Sequence, residues 1–409
     1  MARTIQARSA FQFPPAWLWL VDEAIPTYVK SKYSPRESWK DKPFTKEDAK
    51  FFFKGVEELS EIFTEERKKI PTYFNHPKFR SAYLLYFLPL QAAKFLSLFS
   101  LYPKAMEAAL AESKKDGVFR ILDLGAGPAT ASLAIMLWIL GKAASDQIEI
   151  PSVEIELVDT NAGTMEDGKD LLESFANSFP RLRGKIIVRT HIAPWWKTRE
   201  LLNKKYSLIV LGHVLNESPP PRTENAELIW SQLLQAAGGA GILAVEPASR
   251  VPSQSLSKLR DSLLEQEIIE PSAQAIWGPC LHSGSCPLAD GRDWCHFSMP
   301  VDISGEWFKS ISRALSSERT WVKFSYLWFA SREFKAPLPN PKLRRVISDA
   351  LSRGPGPSTV LICEADYPDK YPVPDSFSVH RGDLVTKTGT GAPRRAPKAE
   401  IEDEDESDY

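Results

Sequence analysis

The run VFRILDLGAG, residues 118–127, constrains this chain more than any other stretch. A short apolar segment that closes on two glycines and passes at once into PATASLAIMLWILG reads as a buried strand, a tight turn and a helix. The alternation continues through VEIELVDT (153–160), a helix around 163–178, KIIVRTHI (185–192) and YSLIVLGHVLNE (206–217). A helix at 223–237, GGAGILAVEP (238–247) and a helix at 253–268 extend it. Short buried strands alternating with helices require a mostly parallel sheet covered on both faces. After a helix at 305–315, WVKFSYLWFAS (321–331) and STVLICEAD (358–366) read as two closing strands. Five parallel strands and a final strand pair are the α/β, Rossmann-type pattern of a Class I methyltransferase.

The flanks have a different texture. Residues 1–116 read as a helical N-terminal region, with Thr45 as the N-cap of a helix over 45–70. Residues 81–101 are strongly apolar, but Pro89 and Lys94 make them a buried helix pair and not a membrane span. His76, between Asn75 and Pro77, is loop chemistry with no function assigned. The methyltransferase-like domain is expected over 117–366, with a cysteine insertion at 271–300. From 367 to 409 we expect a C-terminal extension, a linker from about residue 388 and an acidic disordered tail. Residues 400–409 hold seven acids and no base, which leaves 51 bases against 45 acids over residues 1–399. A mildly basic body suits contact with nucleic acid, and an idle solvated tail fits the charge as well. The start MARTIQARSAF has two arginines and no acid before Asp22, an import-signal flavour without a clear amphipathic length.

The glycine loop carries the first candidate site. Asp123, Gly125, Ala126 and Gly127 fall at the carboxyl end of the first strand, where open α/β sheets bind ligands. Glycine lets the backbone approach a ligand closely and adopt positive φ. A dinucleotide motif would need Gly or Ala where this chain has Thr130, so the D-x-G-x-G form favours S-adenosylmethionine. The next strand ends in Asp159, an acid placed to accept hydrogen bonds from ribose hydroxyls. After the fourth strand, His213, Asn216 and Glu217 could do acid/base work or cap a helix start. Ser218-Pro219-Pro220-Pro221 lacks the leading amide or acid and the aromatic of an amine-holding element. The catalytic residues stay unknown.

Three of the four cysteines sit in GPCLHSGSCPLADGRDWCHF, residues 278–297, spaced C-x5-C-x8-C, with Cys363 far downstream. Four cysteines in 409 residues do not make a secreted disulfide framework. The spacing lacks the C-x2-C or C-x4-C pairs of zinc ribbons. Loose spacing in a Gly/Pro-rich loop suits an iron–sulfur cluster, and His282 and His296 keep zinc on three cysteines and one histidine as a competitor.

Taken in order, DLGAGPA, LGHVLNE, PCLHSGSCPL, DWCHF, KFSYL and the late cysteine resemble one family. It is the methyltransferase-like assembly factor of the small ribosomal subunit, methyltransferase-like protein seventeen in animals and Rsm twenty-two in yeast, with bacterial relatives. The likeness covers roughly residues 80 to 366. It implies a 4Fe–4S cluster on Cys280, Cys286, Cys295 and Cys363 and binding to the small subunit and its ribosomal RNA, beside the S-adenosyl-L-methionine that the glycine loop itself favours. It leaves methyl transfer open, so the alternatives are an active rRNA methyltransferase or a small-molecule or protein methyltransferase with structural zinc. It implies a bacterial cytoplasmic protein, or a mitochondrial one if the source is eukaryotic. No membrane partner is expected, and the oligomeric state is open. Lys323, Arg332, Lys335, Lys342, Arg344 and Arg345 are the expected phosphate contacts, with an ordinary solvated face as the alternative.

Overall fold

The computed structural model describes residues 5–6, 11–65, 73–217, 219–220, 223–315, 320–351, 358–365, 367–373 and 379–386. Its centre is a mixed sheet of eight strands. In chain order these are β1 (Val118–Leu124), β2 (Ser152–Asp159), β3 (Ile186–Ile192), β4 (Leu208–Gly212), β5 (Ile242–Pro247), β6 (Ile276–Gly278), β7 (Phe297–Pro300) and β8 (Trp321–Phe329). The order across the sheet is β3-β2-β1-β4-β5-β8-β6, and β7 also pairs with β8. The first five strands are parallel; β8 runs antiparallel to β5, and β6 antiparallel to β8. That reversal at β1 and the single antiparallel strand inside the far half define a Class I methyltransferase-like α/β fold.

Helices cover both faces because the strands are apolar on both sides. One face carries α1 (Ile25–Tyr33), α2 (Lys46–Glu65), α3 (Pro77–Leu101), α4 (Pro103–Ser113), α5 (Thr130–Asp146) and α6 (Ala162–Ser178). Their buried side chains, from Ile25 through Phe175, form one core with Phe119, Ile121 and Trp328 of the sheet. α7 (Ala226–Ala236) and α8 (Arg250–Glu265) pack on the other face around Trp230, Leu233 and Leu263. α3 is long and apolar enough to cross a membrane by length and composition, and most of it is buried against its neighbours. Thr45 caps α2 as its sequence suggests: the Asp48 amide donates to Thr45 Oγ1, and the Thr45 amide donates to Asp48 Oδ2 at 2.8 Å.

The closing strands differ from expectation. STVLICEAD forms a strand, β10 (Thr359–Cys363), but it does not join the central sheet. It pairs with β11 (Pro368–Pro372), while β9 (Leu343–Arg345) pairs with β12 (Leu384–Thr386), which also pairs with the two-residue strand Ile5–Gln6. Bridges from Val346 to Ile362 and from Leu351 to Thr359 join the two sets. Val346, Val360, Ile362, Tyr371, Val379 and Val385 give this β unit its own small core. The place of a last sheet strand is taken instead by β6, out of the cysteine insertion. The reason is that β6 reaches the free edge of β8 after one helix, whereas β10 finds its apolar partners on β11. The linker and acidic tail expected from about residue 388 lie outside the described residues.

Candidate functional site

The carboxyl ends of β1, β2, β3 and β4 open into a cavity of about 520 Å³. Asp123, Gly125, Ala126, Gly127 and Asp159 all line it, as do His213, Asn216 and Glu217. Gly125 has φ +70°, and a Cβ there would stand 2.3 Å from Val214 Cγ2. The amides of Gly125 and Ala126 both donate to the Val158 carbonyl, which turns the loop toward β2. Asp159 accepts from the Gly127 amide at 2.9 Å and from the Asn161 amide at 2.8 Å. Asp123 is 1 % exposed and accepts from both the amide and the hydroxyl of Ser132, in the first turn of α5. Burial pushes its carboxyl up to about 7.

The floor of the cavity is a cluster of titratable groups. His213 sits in the left-handed region, with φ +61°, and its amide donates to the Val245 carbonyl at 2.7 Å. Its Nε2 is 3.5 Å from Nζ of the buried Lys94. Burial, then the Lys94 charge, holds the imidazole well below its ordinary value. Glu246, at the end of β5, accepts from the Leu215 amide at 2.9 Å and so fixes the turn that carries Asn216 and Glu217. Burial lifts Glu246 to about 8 and Glu217 to about 7. Of the Ser218–Pro221 element, only Pro219 and Pro220 lie within the described residues.

Several lining residues are not among those the sequence singled out. Tyr73, Phe74, Tyr83 and Gln91 come from the helical N-terminal region, and Trp195 and Trp196 from the loop after β3. Gln91 Oε1 and Trp196 Nε1 are buried with no partner among the described residues. Unpartnered polar atoms on two residues that line the cavity suit a polar ligand. Trp196 had a legible signal, because the segment after the third strand of such a sheet lines the ligand crevice. Gln91 and Lys94 had a weaker one, as polar residues on an otherwise apolar helix.

The second site gathers the cysteines. Cys280, Cys286 and Cys295 line one small cavity, and Cys280, Cys295 and Cys363 line the next. None is disulfide-bonded. Among the described residues, no group of three or more His, Cys, Asp or Glu side chains is arranged to hold a metal ion. Cys363 lies on β10, so the four cysteines bring the insertion together with the C-terminal β unit and not with a strand of the central sheet. Burial raises the thiols of Cys280, Cys295 and Cys363, and mutual repulsion among the cysteines adds to it. Two buried guanidinium groups oppose that rise. Arg260 donates to the carbonyls of Gly284 and His282 at 2.5 and 2.6 Å, and Arg345 to that of Pro279 at 2.7 Å. Gly278 is required at the loop entrance, since a Cβ would fall 2.0 Å from the Tyr102 hydroxyl.

The two histidines part company. His282 Nε2 is 3.3 Å from Cys363 Sγ. His296 instead stacks on Trp294 and lies 3.4 Å from Arg381 Nη1. The expected phosphate contacts also change. Arg345 is buried and bonded to main-chain carbonyls, Arg344 pairs with Glu364 at 2.6 Å, and Lys335 pairs with Glu270 at 2.7 Å. Arg332 donates to the Ile268 carbonyl, and Lys323 and Lys342 are exposed. Burial takes Arg345 out of reach of any phosphate, so it serves the cysteine loop.

No curated protein matches this chain. Among solved structures it is similar to an S-adenosylmethionine-dependent methyltransferase from Agrobacterium tumefaciens, at 11% identity and TM-score 0.32, over 56% of this chain and 61% of that one. It is also similar to the plantazolicin methyltransferase BpumL, at 12% identity and TM-score 0.28, over 70% of this chain and 98% of that one. An O-methyltransferase family protein from Burkholderia thailandensis stands at 11% and 0.29, over 70% and 71%. At these scores the likenesses add nothing to what the strand order establishes. The family model described as mitochondrial small ribosomal subunit Rsm22 matches residues 92–368. That span is more than half of the sequence, and the chain belongs to this family.

Proposed function

We propose that this protein is an assembly factor of the small ribosomal subunit that binds S-adenosylmethionine in the cavity, carries a 4Fe–4S cluster on its four cysteines and contacts small-subunit rRNA. The observation that carries the reading is the meeting of Cys280, Cys286 and Cys295 with Cys363 from a separate β unit. Clustered thiolates are costly to hold away from water unless they serve as ligands. An all-cysteine donor set suits a four-iron cluster, and the loose spacing favours it over a four-cysteine zinc site. Its net negative charge would be offset by Arg260 and Arg345, which are buried beside it.

At the cavity, Asp159 would hold the ribose hydroxyls, and the Gly125–Gly127 backbone would face the amino-acid portion. Gln91 Oε1 could accept from the ammonium and Trp196 Nε1 could donate to the purine. Bound S-adenosylmethionine would supply an electrophilic methyl group. His213, Asn216 and Glu217 lie at the same cavity, which favours an rRNA methyltransferase as the second reading. The family description favours the mitochondrion over the bacterial cytoplasm as the compartment. We keep a domain limit near 117, but the one near 366 is given up, because β10, ending at Cys363, pairs with β11, starting at Pro368, within one β unit.

Anaerobic purification tests the reading. Iron and sulfide near four each per chain, with absorption around ~400 nm, support it. Stoichiometric zinc without sulfide would replace the cluster by a structural zinc.

A further inference from the structure

The N-terminal part of the chain, outside the residues matched to the family, carries a surface of a different kind. Lys46, Lys50 and Lys54 project from α2 at i, i+4 and i+8, and all three are exposed. Four residues of α-helix rise about 6 Å, so the three ammonium groups form a single stripe. Arg36 and Lys42, in the segment leading into α2, are exposed as well. None of these five cations has an ion-pair partner among the described residues. Elsewhere many basic groups are neutralised, as Lys205 is by Glu333 and Lys258 by Asp290.

The acids nearby do not cancel the stripe. Glu37 pairs with Lys40 at 2.8 Å, and Asp48 is buried against Lys30 at 2.5 Å. Only Asp41 and Glu47 remain exposed and unpaired between Arg36 and Lys54. Glu47 lies in the first turn of α2, where the helix dipole favours an acid. Three lysines running inward from that same end gain nothing from the dipole, so helix stability does not account for them.

Aromatic rings stand in the same surface. Phe51 is 49 % exposed, and Trp39, half-buried, meets it edge to face at 6.5 Å. Arg36 lies over the Trp39 ring at 4.9 Å. Cations that track a backbone, beside partly exposed rings that can stack on bases, are the two components of a single-strand nucleic-acid surface.

We infer that this face of the N-terminal region docks single-stranded RNA, with Lys46, Lys50 and Lys54 on phosphates and Trp39 and Phe51 against bases. The inference rests on the proposed rRNA contact and gives it a location. It places that contact on residues outside the family match that line neither the cavity nor the cysteine pockets.

The test uses the full chain with labelled oligo-uridine and a salt titration. The triple variant Lys46→Gln/Lys50→Gln/Lys54→Gln should bind about tenfold more weakly and lower the salt slope by about 2, at roughly 0.7 per phosphate lost. Trp39→Ala should also weaken binding about tenfold with the slope unchanged, and Trp39→Phe should restore most of it. Thermal unfolding should match wild type for the triple variant, since its three side chains are exposed. If wild type binds RNA and the triple variant binds equally with the same slope, the location is wrong and the rRNA contact stands. If wild type binds no RNA, both fall. If polyglutamate competes as well as RNA and Trp39→Ala has no effect, the surface receives an acidic protein and the nucleic-acid assignment is overturned.

Discussion

His282 Nε2 stands 3.3 Å from Cys363 Sγ, across 81 positions of sequence. The contact brings the insertion and the C-terminal β unit together at one point, so it separates two ligand sets by mutation. With a cluster on four cysteines, Cys363→Ser should remove most of the iron and the visible absorption, while His282→Ala keeps the iron. With zinc on three cysteines and one histidine, His282→Ala should lose the metal. His296→Ala should be silent on metal content in either case, because His296 faces Trp294 and Arg381. Metal analysis and a visible spectrum of each variant decide the matter.

Arg345 gives a related prediction. Its guanidinium holds the carbonyls of Pro279 and Gly382 inside the fold. Arg345→Glu should therefore reduce metal content and thermal stability together, with a stability loss of about 3–5 kcal/mol for a buried charge left opposed. A folded variant with full metal content and weakened RNA binding would contradict this assignment.

At the glycine loop, Gly125→Ala should be enough to abolish S-adenosylmethionine binding. The added methyl meets Val214, and the positive φ adds strain of about 1–3 kcal/mol. Calorimetry should show the loss while circular dichroism stays native. Binding as tight as wild type would mean that Val214 moves aside and that the loop is not held as described.

The carboxyl groups of the cavity predict a pH dependence. Burial raises Glu246 to about 8, above its ordinary value. The folded chain then keeps a proton that the unfolded chain has released. Stability from this group is fully present below the ordinary carboxylate range, near pH 4, and is lost as pH rises through about 8. Glu246→Gln should flatten the fall in stability between pH 5 and 9 by at least about 1 kcal/mol. The amide can still accept from the Leu215 N–H. Denaturant midpoints measured across that range check it, and parallel curves for the two proteins would refute the shift.

Asp167 locks the helical region to α6. It is fully buried and accepts from the hydroxyls of Tyr28 and Tyr33, with Lys32 at 3.0 Å and Arg80 at 3.5 Å. Asp167→Ala should destabilise the protein by about 3–5 kcal/mol, since two cations and two hydroxyls lose a shared acceptor. Proteolysis should then cut the N-terminal helices first.

The central fold was readable because its signals are local. β1, β4 and β5 are short runs of mostly buried apolar residues, β2 and the exposed edge strand β3 are mixed, and the helices repeat an apolar face every three to four positions, so period and alternation together identify them. The place of the glycines and Asp159 at the cavity was legible for the same reason: the carboxyl ends of parallel strands face the crevice of an open α/β sheet. The four cysteines were readable as a group, by scarcity and clustering.

What only the tertiary structure decided depends on which distant segments meet. STVLICEAD carries a strand pattern whichever strand it pairs with, and its pairing with β11 was set by the packing of Val346, Val360 and Tyr371. Arginine in a sequence looks the same whether it faces solvent or closes a loop. Burial against Pro279 and Gly382 turned Arg345 from a candidate phosphate contact into a support of the cysteine loop. The choice between His282 and His296 followed in the same way. Both flank cysteines in the sequence, and the direction of each ring is fixed by neighbours that lie far away along the chain.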